Sequence, residues 1–145
     1  MGMTGGCLCG AVRYEAKSDP FDCGWCHCRT CQLYGGAPAM AFASVAAGDL
    51  AWTEGEDRVR WLESSSFGRR AFCSECGSAL QVRVDHQPET VDVPVATFDD
   101  PAAVPPEFHI FWGSRVAWFD PGDDLPRHEK FRQNTRGLEG TEPPE

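Results

Sequence analysis

The chain has 145 residues, 41% of them hydrophobic, and a formal net charge of −9. That length suits a single domain with a modest core, and the charge argues against nucleic acid as a partner, because phosphate neutralisation needs clustered Lys and Arg. The N-terminus lacks the basic and apolar regions of a signal peptide, and no apolar run approaches the roughly 20 residues that span a bilayer. These features exclude a membrane role and point to the cytoplasm, where disulfides are rare.

Taken in chain order, strand signals dominate. Residues 11–17, AVRYEAK, alternate, with Val12 and Tyr14 opposite Arg13 and Glu15. Residues 39–45, 58–63, 79–84 and 90–96 show period-two patterning or β-branched richness. Residues 108–112 and 115–119 read as two short strands around Gly113-Ser114. Turn signals separate the runs at Ala47-Gly48-Asp49, Glu54-Gly55-Glu56-Asp57 and Asp85-His86-Gln87-Pro88. One short helix is predicted over 29–34, stopped by Gly35-Gly36. The fold class is therefore mostly β: small antiparallel sheets in one domain, residues 3–131. Residues 132–145 read as a disordered tail, acidic and Pro-rich from 137 onward.

Such small sheets bury little, and eight cysteines offer a remedy. They fall into three groups. Cys7 and Cys9 form C-x-C before Gly10, and Cys73 and Cys76 form C-x-x-C before Gly77. Glycine after such a knuckle suits a turn that needs positive φ. Two knuckles far apart in sequence can close one tetrahedral zinc site with four thiolates. Four buried free thiols are the bland alternative.

Between them lies CGWCHCRTC, residues 23–31. Cys26, Cys28 and Cys31 offer three thiolates within six residues. If Cys23 joins them, the site closes and is structural; if it stays out, the site keeps an open position, as catalytic zinc does. CGWC also has the form of a redox dithiol. That motif belongs at the start of a long helix in a β/α pattern, and no such pattern surrounds it here. In an extended C-x-C, His27 points away from the metal, which makes it a supporting or surface residue. His86 and His128 sit in loop sequence. Trp25, Trp112 and Trp118 read as core.

The three groups in order, GGCLCGAVRY, CHCRTC and RRAFCSECGSAL, with HIFWGSRVAWF closing, resemble the glutathione-dependent formaldehyde-activating enzyme family, which includes centromere protein V. The resemblance covers about residues 5–120. It implies an all-β, zinc-ribbon-like fold with two zinc ions. Cys7, Cys9, Cys73 and Cys76 match the family's structural zinc, and Cys26, Cys28 and Cys31 its catalytic zinc. Cys23 has no counterpart in the pattern. The family's name reaction joins formaldehyde and glutathione into S-hydroxymethylglutathione, a carbon–sulfur bond. A small thiol such as glutathione is thus the implied partner. Its carboxylates would need cations, for which Arg69 and Arg70 are candidates, and His109 is either a packed histidine or a pocket proton shuttle. Membership does not fix the reaction. A module with two structural zincs and a redox or zinc-sensing protein remain the competing readings.

Overall fold

The structure is a computed structural model that describes residues 2–132. In chain order its elements are β1 (Met3–Gly6), β2 (Arg13–Ala16), β3 (Phe21–Cys26), α1 (Arg29–Gly35), β4 (Met40–Ala46), β5 (Leu50–Glu54), β6 (Val59–Glu63), β7 (Gly68–Cys73), β8 (Ala79–Val84), β9 (Thr90–Pro94) and β10 (His109–Ile110). The mostly β, single-domain expectation holds. Strands β1, β2 and β5 form an antiparallel sheet in the order β1-β2-β5, and the other seven form a second sheet in the order β10-β3-β4-β9-β8-β7-β6. Only the short edge pair of β10 with β3 is parallel among its described pairings.

The core lies between the sheets. Tyr14 and Ala16 from β2 meet Ala43 and Val45 from β4 and Val91 and Val93 from β9, with Phe98 and Val104 closing one side. Period-two alternation then sends the neighbours Ser44 and Asp92 to the opposite face of the larger sheet. That face is not covered by the smaller sheet, and the candidate site is built on it.

The predicted helix over 29–34 is α1, which ends where Gly36 takes the left-handed conformation, φ 62°. The strand expected at 115–119 is absent. Phe111 turns left-handed at φ 53°, Trp112–Ser114 make a 3-10 turn, and Trp118 is 77% exposed instead of buried in the core. The place beside β10 is already taken: His109 N–H donates to Pro126 O, His128 N–H to His109 O, and Phe111 N–H to Lys130 O. Of the expected tail, Arg132 is described and bonds to Asp22, and residues 133–145 lie outside the described residues. No helix among the described residues is long and apolar enough to cross a membrane.

Candidate metal centres and their cavity

All eight cysteines are free thiols. The sulfurs of Cys7, Cys9, Cys73 and Cys76 lie within 4.8 Å of one another. Two turns present them. Gly10 N–H bonds to Cys7 O and Gly77 N–H to Cys73 O, each glycine at φ 79°. Nothing lies within 4 Å of a Cβ at either glycine, so conformation and not space selects them. Backbone N–H groups aim at sulfur: Val12 N donates to Cys7 Sγ at 3.3 Å and Glu75 N to Cys73 Sγ at 3.4 Å. Against the pull of burial, bonds from Ser78 hold the Cys76 thiol down at about 6. The group joins the β1–β2 loop to the β7–β8 turn above a small core of Val12, Val59, Ala71 and Leu80.

The sulfurs of Cys26, Cys28 and Cys31 form a second group, again within 4.8 Å. Cys26 ends β3, Cys28 is the N-cap of α1, and Cys31 sits one turn into the helix. Cys31 N–H donates to Cys28 Sγ at 3.3 Å. Contacts from Cys26 and then Cys31 bring Cys28 down to about 2, while Cys26 is pushed well up, chiefly by its contact with Cys28. Three crowded thiols thus divide one negative charge unless a cation joins them. Both groups have the chemistry of a zinc site: all-sulfur donors, drawn together and steered by N–H bonds.

Cys23 is not in this group. It stands three residues before Cys26 on the same strand, so the two side chains leave opposite faces. Cys23 is 2% exposed, packs in the inter-sheet core, and sits 3.5 Å from Val104 O, and burial pushes its thiol up to about 12. The glycine of CGWC has its own reason. A Cβ on Gly24 would come within 2.2 Å of the Phe108 ring.

The three-thiol group opens into a cavity of about 260 Å³. Its floor is the free face of the larger sheet, with Asp22, Gly24 and Cys26 from β3, Phe42 and Ser44 from β4, and Asp92 from β9. Arg70 reaches across from β7. Its Nη1 donates to Cys31 Sγ at 3.3 Å, its Nε donates to Ser64 Oγ at 3.2 Å, and the guanidinium stacks 5.0 Å from the Tyr34 ring centre. Arg69, one residue earlier, faces the other way, is exposed, and lies over Trp61. Of the two arginines offered from sequence as cations for substrate carboxylates, Arg70 lines the cavity and is bonded to Cys31, and Arg69 is not among the cavity's lining residues.

His27 and His109 are both fully buried and share a hydrogen bond of 2.8 Å, and His109 Nε2 lies 3.1 Å from Asp123. Neither histidine lines the cavity. His27 points away from the sulfurs as expected, but into the interior, against Trp112. His86, read as a loop residue, is in a loop and also lines the cavity. Sequence reasoning missed Asp22, Ser44, Asp92 and Phe131. Placing Ser44 and Asp92 needs only the alternation of β4 and β9; the others need the fold.

The family model for glutathione-dependent formaldehyde-activating enzyme matches residues 2–114. The chain belongs to this family. A putative glutathione-dependent formaldehyde-activating enzyme of Halomonas elongata is 29% identical over 81% of this chain and 80% of its own. An uncharacterized lyase of Schizosaccharomyces pombe is 36% identical over 52% of this chain. The chain spans about half of that relative, 53% of its length. A Rhodobacter sphaeroides protein of known crystal structure shares the fold of this family member, with a TM-score of 0.58 at 21% identity over 86% of this chain and 99% of that one.

Proposed function

We propose that the chain makes and breaks the carbon–sulfur bond of a thiol–aldehyde adduct, with glutathione as the thiol and formaldehyde as the aldehyde. The domain over residues 3–131 acts as one unit, in the cytoplasm, with a structural zinc on Cys7, Cys9, Cys73 and Cys76. The observation that carries the reading is a group of three sulfurs, not four, opening into a cavity. A zinc ion on Cys26, Cys28 and Cys31 would supply a Lewis acid that holds the substrate sulfur as thiolate.

The chain's own residues do the rest. Three thiolates and a divalent ion sum to a formal −1, and the Arg70 guanidinium offsets that charge at Cys31. Cys28 as N-cap and Cys31 in the first turn fix two sulfurs on one rigid element. The walls of Phe42, Phe108 and Phe111 exclude water from the reacting groups. Holding thiol and aldehyde together in that space makes the addition effectively intramolecular, worth on the order of 7–11 kcal/mol in favourable cases. In synthesis the sulfur, having given up its proton, attacks the aldehyde carbon, the C–S bond forms as the C=O π bond opens, and the oxygen takes up one proton, so that thiol and aldehyde sum to the adduct; lysis is the reverse.

Relatives named as a putative enzyme of this reaction and as a lyase support the assignment. The test is exchange spectroscopy on glutathione with labelled formaldehyde. Zinc-loaded protein should accelerate exchange between free and adduct forms, and Cys28→Ser should abolish the acceleration. An unchanged exchange rate with fully zinc-loaded protein would refute the reading.

A further inference from the structure

The cavity has a second polar end. Asp22, Ser44 and Asp92 line it from adjacent strands, with Ser44 opposite both Phe21 and Asp92 in register. Asp22 is four residues before Cys26, up to roughly 13 Å of strand from the sulfurs. Ser44 Oγ donates to Asp92 Oδ1 at 2.8 Å. Among the described residues no cation pairs with Asp92. Arg70 is bonded to Cys31 and Ser64. Burial pushes the Asp92 carboxyl up to about 6 against the pull of the Ser44 bond and then of the Arg70 charge.

Asp22 adds a second acid. Its Oδ1 accepts from Arg132 at 2.7 Å, and its Oδ2 is buried with no hydrogen-bond partner. Gln87, 8% exposed, lines the same cavity, and its Nε2 is also buried with no partner. A buried amide N–H without an acceptor is unfavourable, so this arrangement calls for a ligand oxygen. Asp22 is already paired with Arg132 through Oδ1, so it is Asp92 and the unbonded Oδ2 of Asp22 that call for a further cation. A ligand that answers both carries an ammonium beside a carboxylate.

We propose that this end of the cavity is a subsite for the α-amino-acid group of the thiol substrate, its ammonium held by Asp22 and Asp92 and its carboxylate by Gln87. The proposal deepens the function above and rests on it for the sulfur end. An ammonium against Asp92 supplies a directly bonded counter-charge, which none of its described ion pairs provides. The substrate is then gripped at two points, sulfur and amine, which orients the carbon between them.

The test is calorimetric titration of the zinc-loaded protein with glutathione, N-acetylglutathione, S-methylglutathione and its N-acetyl form. Acetylation removes the ammonium and should weaken binding by about tenfold or more in both pairs. Asp92→Asn keeps the shape and the bond to Ser44, and should bind glutathione as weakly as wild type binds N-acetylglutathione. Asp22→Asn should weaken glutathione in the same way, since Asn tolerates a φ of 48°. Equal binding of acetylated and free-amine forms by wild type overturns the subsite. So does an Asp92→Asn loss that is the same for both forms, which marks a structural effect. S-methylglutathione cannot give a thiolate. If glutathione binds no tighter than it while both keep the amine preference, the subsite stands and the sulfur reading fails. If no probe binds, both fall.

Discussion

Arg70 donates from Nη1 to the sulfur of Cys31 at 3.3 Å, linking β7 to the helix that carries two of the three thiols. The guanidinium is buried, 8% exposed, and stays charged because the neighbouring thiols outweigh the cost of burial. A positive group so placed should favour the ionised, metal-holding state of the cysteines. Arg70→Gln should weaken zinc at this group by about 10–100-fold and leave the four-thiol group unaffected. Competition with a chromophoric chelator reads both affinities. Arg70→Lys keeps charge but loses the planar contacts to Ser64 and Tyr34, and should fall between.

The opposite faces of Cys23 and Cys26 give a second prediction. Cys23→Ala should cost about 1 kcal/mol of stability and retain two zinc ions per chain. Cys26→Ala should lose one. Elemental analysis beside denaturant melts separates the two effects. A lost zinc in Cys23→Ala would return that thiol to the metal site.

This pair also shows how far the sequence could be read. The knuckles Cys7-x-Cys9 and Cys73-x-x-Cys76 declared themselves by spacing and by the glycines that follow. The helix over 29–34 did so by its Gly35-Gly36 stop. CGWC was harder, because its cysteines drew attention to thiol chemistry and away from β3. Once Phe21–Cys26 is a strand, alternation alone separates Cys23 from Cys26. The false strand at 115–119 had the right alternation and no free neighbour to pair with, which only the path of residues 126–130 decides. Likewise Arg69 and Arg70 are equivalent candidates by sequence, and only their places on β7 set them on opposite faces.

The buried His27–His109 pair predicts a pH dependence. Burial, then the neighbouring His109, holds His27 down at about 4, against about 6.5 when unfolded. The unfolded chain therefore binds more protons between those values. This contribution is present in full above about pH 6.5, falls as pH drops, and is gone near pH 4, a loss on the order of 3 kcal/mol. Urea unfolding of wild type and His27→Gln at pH 7 and pH 4.5 checks it. The variant should lose visibly less stability in acid, and equal losses would contradict the assignment.

Gly24→Ala tests the cavity wall. The new methyl meets the Phe108 ring, which must shift, at a cost of about 1–3 kcal/mol. Both residues line the cavity, so glutathione binding should weaken while two zinc ions per chain remain. Thermal melts, calorimetry and metal analysis together read the three outcomes.

The central claim is that the three-cysteine group keeps a place for the substrate sulfur. X-ray absorption at the zinc edge measures it most directly, on fully zinc-loaded protein before and after glutathione. A four-sulfur and a three-sulfur site together give roughly 3.5 sulfurs per zinc. Addition of glutathione should raise that to about 4. Four sulfurs per zinc from the start, unchanged by glutathione, would mean two closed sites and a module without this chemistry.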